Sequence, residues 1–390
     1  MRSLTFLVFV FLTFCCWGFY GPVLHIGQAE IGEDGKPGSL RPFICVGVAY
    51  FLIAVLFPTM VLLSKGEKGN WTISGAVWSF ISGAVGAVGA LGIIFAFKFG
   101  GKPVYVMPLV FGCAPIVNTF VTMLMARTFK QASIPFYLGI VIVALGAAGV
   151  LTYKPIQNHK TVDAPSEPAA SQKTPVVYFS DDDNSVASLS ESQAEPRLSE
   201  ESESVQQTIA SDDALLPEAA ATLPTSPTSN NSFYVTISIF VTALCWGTYG
   251  AVLHKGQAKM HGSRLRPFIC VGLAYFAIAV VVPLIALPMY PEPGSFDNTS
   301  GVLWSLLAGA VGALGALGII YAFNAGGKPV FVMPLVFGLA PVVNTFVEMF
   351  ITKGVADSVS PMFYASLGAV ILGAVMVLVF APRTAPPKPA

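Results

Sequence analysis

Two short motifs combine residue types able to hold a polar solute inside an apolar medium. Pro115 and Asn118 stand three apart in the run P-V-Y-V-M-P-L-V-F-G-C-A-P-I-V-N-T, and Pro341 and Asn344 repeat that spacing later in the chain. A proline inside a helix has no N–H to donate and disrupts the preceding turn, so Pro115 and Pro341 are expected to leave the carbonyls of Phe111 and Phe337 free. A free carbonyl beside an Asn amide, in a medium without water, favours a polar partner. Matched interruptions in two halves of a chain point to a substrate site near the membrane midplane. The other reading is that Asn118 and Asn344 bond across helices and only hold them together.

A second pair of motifs is aromatic. Trp17, Tyr20 and His25 lie in W-G-F-Y-G-P-V-L-H-I-G-Q-A, and Trp246, Tyr249 and His254 lie in W-G-T-Y-G-A-V-L-H-K-G-Q-A. Two uses are open for them: gating a solute path from either face, or anchoring at the membrane interface, where Trp and Tyr are enriched. The spacing favours a cavity role for Trp17 and Trp246, which lie deeper than Gly21 and Gly250. Three ionisable residues have no counterpart at the matching position, one of them Lys255, which aligns with Ile26. Lys98 aligns with Asn324, and Glu348 aligns with Thr122. Charges inside membrane spans are costly and usually functional, which makes Glu348 a candidate for proton or cation coupling and Lys98 a candidate anchor for an anionic group. Lys98 could equally snorkel from a helix end, and Glu348 could sit at the interface near Lys353.

The elements that position these residues come in two copies. Trp17–Ala29 matches Trp246–Ala258 at 10 of 13 positions, and Arg41–Phe51 matches Arg266–Phe276 at 10 of 11. Val77–Ile94 matches Leu303–Ile320 at 13 of 18, and Gly100–Val121 matches Gly326–Val347 at 19 of 22. Composition then fixes the solvent. The chain is 54% hydrophobic and 11% charged with mean hydropathy +0.70, which points to a bilayer and away from a soluble core. A helix crosses the hydrocarbon with roughly 20 apolar residues. Ten stretches qualify: 4–24, 42–64, 73–97, 103–126, 134–153, 233–253, 267–290, 301–324, 329–351 and 361–381. The first imitates a signal peptide, but its repeat partner lies far inside the chain, so it reads as a true helix. Cys15, Cys16, Cys45, Cys113, Cys245 and Cys270 all fall within spans and show no disulfide or zinc spacing.

The expected fold class is an all-α polytopic membrane protein, with ten transmembrane helices as two inverted five-helix repeats and a disordered acidic linker between them. The expected domains are a first repeat at 1–153, a linker at 154–231, a second repeat at 232–382 and a tail at 383–390. The linker carries 4 Lys+Arg against 13 Asp+Glu and is rich in Ser and Pro, a composition that cannot bury a core. An odd number of crossings per copy inverts the second copy relative to the first. Lys and Arg favour cytoplasmic loops; their distribution favours both termini inside and the linker outside, in a plasma or inner membrane.

With ten helices in two halves, a W-G-x-Y-G motif in helices one and six, and Gly/Pro-rich helices three, four, eight and nine, the chain resembles the drug/metabolite transporter superfamily, in particular its EamA-type members. That resemblance implies a carrier fold and transport of small molecules, without naming a ligand. The acidic linker and the close likeness of the halves depart from the group's usual compact pattern.

Gly83, Gly86, Gly89 and Gly92, with Gly309, Gly312, Gly315 and Gly318, form small-residue surfaces suited to close helix contact. No strand precedes them, so they are not a dinucleotide fingerprint, and no phosphate-binding G-x-x-x-x-G-K-[ST] motif occurs. The expected function is secondary transport of a small organic metabolite by alternating access, with no cofactor and no nucleic-acid partner. The alternative is a membrane scaffold or sensor that recruits partners through the linker. Enzyme chemistry is the weakest reading, because no nucleophile, base and acid set appears. Partners expected are the substrate, the lipid bilayer and a possible coupling proton or cation; oligomeric state is not encoded in any motif.

Overall fold

The computed structural model describes residues 2–127, 133–153, 229–327, 329–351 and 359–380. The linker from 154 to 228, the tail from 383 and Lys353 lie outside the described residues. Those described are helical throughout, with no β-strand among them beyond one isolated bridge between Glu33 and Lys36.

The helices are α1 (Arg2–Ile31), α2 (Leu40–Lys65), α3 (Ile73–Lys98), α4 (Pro103–Ala126), α5 (Ile134–Thr152), α6 (Ser229–Lys259), α7 (Leu265–Ala286), α8 (Thr299–Asn324), α9 (Pro329–Ile351) and α10 (Pro361–Val379). Among the described residues, seven helices are long and apolar enough to cross a membrane, all within α1 to α4 and α6 to α8, and shorter apolar helical stretches lie in α5, α9 and α10.

Two boundaries differ from the hydropathy reading. α1 runs to Ile31 and α6 to Lys259, past the expected ends at 24 and 253, so His25 and His254 lie within helices and not at their ends. The extension is held by buried amides. The Gln28 side chain donates to the carbonyls of Gly38 (2.8 Å) and Ile94 (3.1 Å), and Gln257 donates to Ile320 (3.2 Å). Donation to these carbonyls offsets part of the cost of burying the two amides, whose own side-chain oxygens have no partner.

α2 and α7 share a second irregularity. Each contains one π-helical stretch, at Phe51–Leu56 and Ala277–Val281. The cause lies just downstream, in Pro58 and Pro283. Neither ring can donate to the carbonyl four residues earlier; the wider register, in which Phe57 N–H reaches Leu52 O and Val282 N–H reaches Ala277 O, absorbs the mismatch.

The core is built across the two copies. The most extensive packing pairs α1 with α8, α3 with α6 and α5 with α10, followed by α4 with α6 and α1 with α9. Each contact has its mirror in the other copy. Along α1, Thr13, Trp17 and Gly27 meet Gly315, Gly312 and Ser305 of α8, so the numbers fall on one helix as they rise on the other and the pair is antiparallel. α6 meets α3 in the same sense, with Thr242 bonded to Gly89 and Trp246 to Gly86. The helix starts are tied in the same way. Thr72 caps α3 by accepting from Gly75 N–H and donates to Lys259 O at the end of α6. Asn298 caps α8 by accepting from Gly301 N–H and donates to Glu30 O near the end of α1.

Candidate functional site

The glycine surfaces on α3 and α8 are grooves for aromatic side chains. Trp17 of α1 lies on α8 and donates its indole N–H to Gly312 O (3.3 Å); Trp246 of α6 lies on α3 and donates to Gly86 O (3.2 Å). A side chain at Gly315 or Gly89 would collide with the indole. Small residues here therefore let a ring approach the backbone and find an acceptor, which satisfies the one polar group of each tryptophan.

The two indoles then meet. Trp17 and Trp246 stack with ring centroids 6.1 Å apart and planes 25° apart. Tyr249 stands edge-on to Trp17 at 6.2 Å, and Tyr20 edge-on to Trp246 at 5.8 Å. Tyr50 of α2 and Tyr275 of α7 stack on each other at 3.6 Å with parallel planes. These six rings, with Gly86 and Gly312, line a small cavity of about 20 Å³, room for about one water molecule. All eight lining residues form four repeat pairs, so both copies contribute the same chemistry. Motifs expected to serve opposite faces thus converge in one aromatic cluster.

Two polar atoms at this cavity are unsatisfied. The hydroxyls of Tyr20 and Tyr249, in side chains 3% and 4% exposed, have no hydrogen-bond partner. Buried polar groups are almost always paired, and an orphaned hydroxyl beside a cavity is a ready contact for a solute.

The proline and asparagine motifs sit one layer away. Phe111 and Phe337, whose carbonyls Pro115 and Pro341 were expected to free, touch the cluster with their rings: Phe111 lies 5.8 Å from Trp246, Phe337 lies 6.3 Å from Trp17, and the two lie 6.1 Å from each other. Asn344 is fully buried and donates to Pro103 O at the start of α4 (3.0 Å), a bond that ties α9 to α4. Its carbonyl oxygen and that of Asn118 are buried without partners. Neither asparagine lines the cavity.

Of the remaining candidates, His25 and His254 stand edge-on to Phe97 and Phe323, each at 5.3 Å. Glu348 is 4% exposed within α9. Lys98 lies at the end of α3 and donates to Ser39 Oγ (3.1 Å), beside the loop that starts α2 and not at the cavity. Asn324, which aligns with Lys98, donates to Gly262 O (2.9 Å) at the matching place.

No protein-family model matches the chain. A search of curated proteins finds no match either.

The structure contains one pair of residues the sequence reading missed. Glu67, between α2 and α3, reaches the start of α7, where it accepts from the N–H groups of Arg264 (2.9 Å) and Leu265 (3.0 Å), from Ser263 Oγ (2.6 Å) and from Arg264 Nε (2.9 Å). Glu292, between α7 and α8, reaches the start of α2, where it accepts from the N–H groups of Ser39, Leu40 and Arg41 and from the Ser39 hydroxyl. Arg266 stands 3.8 Å from Glu67, and Arg41 stands 3.7 Å from Glu292. Each carboxylate caps the helix of the other copy, where unpaired N–H groups and the helix dipole favour negative charge. Gly69 and Gly294, two residues beyond each glutamate, hold φ of +102° and +98° and turn the chain back toward its own helix. The available signal was registration: Glu67 and Glu292 keep the offset of the Arg41–Phe51 and Arg266–Phe276 blocks.

Burial alone would raise both carboxyls, but hydrogen bonds outweigh it and hold them below the ordinary value of 4.5: from Ser263, Arg264 and Leu265 at Glu67, and from Ser39, Arg41 and Leu40 at Glu292. A carboxyl whose folded pKa lies below its unfolded one adds stability that is complete above the unfolded value and disappears as pH falls through the folded value. Thermal unfolding of the purified protein should therefore show a Tm that is flat with respect to these groups at neutral pH and falls below pH 4.5. Glu67→Gln/Glu292→Gln should flatten that acid limb; an unchanged limb in the double variant would assign it to other groups.

Proposed function

We propose that the protein is a secondary carrier of a small organic metabolite, with the aromatic cavity as its substrate site. The observation that carries this reading is the cavity itself: lined by four repeat pairs and faced by two unpaired tyrosine hydroxyls. A scaffold has no use for orphaned hydroxyls at a shared interior surface, whereas a carrier needs unsatisfied groups that a solute completes.

The wider architecture we infer is ten crossings in two inverted halves, as in the drug/metabolite transporter superfamily and its EamA-type members. The antiparallel pairing of α1 with α8 and of α6 with α3 supports the inversion, because α8 is the counterpart of α3 and α6 that of α1. So do the reciprocal caps, which bring the loop after α1 beside the loop after α7, and the loop after α2 beside the loop after α6. Alternating access then consists of rocking one bundle against the other about the aromatic cluster. With both caps formed the cavity measures about 20 Å³, so rocking would have to widen it to admit a solute. Glu348 is the candidate coupling group, and the inner or plasma membrane, with both termini cytoplasmic, is the proposed location.

Substitution of the two tyrosines separates this reading from a structural one. Tyr20→Phe/Tyr249→Phe removes only unpaired hydroxyls, so its unfolding free energy should stay within about 0.5 kcal/mol of the parent or rise. Solute uptake by proteoliposomes should fall at least tenfold, on the order of one lost hydrogen bond to a bound ligand. Flux that survives unchanged in a fully folded double variant would remove the cavity from the transport path.

A further inference from the structure

We propose that the ligand of the aromatic cavity is a small alkylated ammonium ion, a cation that carries one or two hydrogen-bonding groups for the Tyr20 and Tyr249 hydroxyls and no more. This rests on the carrier reading above and names its substrate class.

The lining supplies the argument. Among the described residues it consists of two tryptophans, four tyrosines and two glycines, with no lysine, arginine, histidine or carboxylate. Both indole N–H groups are already committed to the carbonyls of Gly86 and Gly312. The free polar capacity shown at the cavity is the pair of hydroxyls on Tyr20 and Tyr249.

That inventory excludes several classes of solute on physical grounds. A sugar carries hydroxyls in excess of two, and each one buried without a partner weakens binding. A carboxylate, a phosphate or the acid end of an amino acid would meet the negative faces of aromatic rings and no cationic side chain. An alkylated ammonium reverses both objections. Its charge is spread over a methyl or methylene surface that needs no donors, and ring faces within about 6 Å of its centre attract it through their quadrupoles, most strongly for tryptophan. The faces of Trp17 and Trp246 lie nearly parallel, 6.1 Å apart, so a cation admitted between them would meet one indole face from each copy.

Symmetry adds an independent constraint. Because each lining residue has its repeat partner opposite, the site offers the same chemistry from both copies, which suits a ligand head that looks alike from both sides. A tetrahedral ammonium centre meets that requirement; a molecule with one anionic and one cationic end does not. The cavity of about 20 Å³ is too small for such a head, so binding requires the two indoles, now 6.1 Å apart, to separate.

The test uses the full chain in detergent or nanodiscs, with thermal unfolding as the readout and ligands of matched shape. Choline should raise the Tm saturably, and 3,3-dimethylbutan-1-ol, the neutral counterpart of choline, should bind at least tenfold more weakly. Trp17→Leu/Trp246→Leu should abolish the difference between choline and its neutral counterpart. That comparison is made first on the unaltered protein, so a variant that fails to fold does not spoil it. Equal affinity for the neutral compound would overturn the cation assignment. Stabilisation by glucose or acetate that Tyr20→Phe/Tyr249→Phe removes would overturn the class and leave the carrier site standing. No stabilisation by any probe, together with no uptake of any by proteoliposomes, would overturn the substrate class and remove the main support for the site.

Discussion

Glu67→Ala is expected to lower the unfolding free energy by about 3 kcal/mol, the low end for breaking a buried ion pair from one side. The Glu67 side chain is 3% exposed, and its loss strands two backbone N–H groups, a hydroxyl and a guanidinium that now point at it. Arg264 is 40% exposed, so water recovers part of its share and keeps the cost from the top of the range. Glu292→Ala should match it, because Glu292 serves three N–H groups at the start of α2 with a side chain 7% exposed. Denaturant unfolding in mixed micelles would measure both. A cycle with Arg264→Ala and the double variant apportions the cost; an interaction energy near zero would show that the carboxylate acts on the backbone alone. Under the carrier reading, one cap must part whenever its end of the bundle opens. The two alanine variants should then open the bundle at opposite ends.

The second large effect belongs to the glycines that touch backbone and not side chain. A methyl group at Gly83 would stand 2.6 Å from Val271 Cα and 2.7 Å from Val271 O, and one at Gly309 would stand 2.7 Å from both Val46 Cα and Val46 O. A side chain can turn aside from such a contact, but a helix backbone cannot. α3 must move away from α7, or α8 from α2. Gly83→Ala and Gly309→Ala should each cost about 3 kcal/mol, the upper end for overpacking, and more than the intrinsic helix gain of about 1 kcal/mol can offset. Gly368→Ala is the internal control, since nothing lies within 4 Å of its added methyl, and it should stabilise by about 0.5–1 kcal/mol. Equal Tm values for all three variants would mean that the glycine surfaces do not set the distance between the helices.

The sequence carried the helices themselves, because twenty-residue apolar runs and a matched second copy survive any change of tertiary context. It also singled out Trp17, Tyr20, Trp246 and Tyr249, four of the six rings that line the cavity. It did not show that the two aromatic groups converge. Each motif contained its own tryptophan and tyrosine, and only the packing of α1 on α8 and of α6 on α3 brings them together. Tyr50 and Tyr275 were hidden within blocks identical for reasons of packing, and hydropathy has no signature for the π turns that follow them. Asn118 and Asn344 had the chemistry of a binding site, yet Asn344 spends its amide on Pro103 O; a linear pattern cannot tell which acceptor a side chain will reach. Glu67 and Glu292 escaped for a related reason. Their partners are the starts of helices roughly two hundred and two hundred and fifty residues away, and a lone glutamate in a polar loop looks like solvated charge.

Packing across the copies has a consequence for how the protein is made. The main contact surface of α1 belongs to α8, which is synthesised nearly three hundred residues later. At about 5–20 residues per second, α1 waits on the order of 15–60 s before its partner exists. During that interval the emerging helices can satisfy their backbones internally in lipid, but the rings of Trp17 and Tyr20 have no groove to enter. A chain terminated after α5 would be left permanently in that unpaired state. A growing chain of this protein is therefore a long-lived client for whatever surveys unassembled membrane helices, and it leaves that state only when its second half arrives.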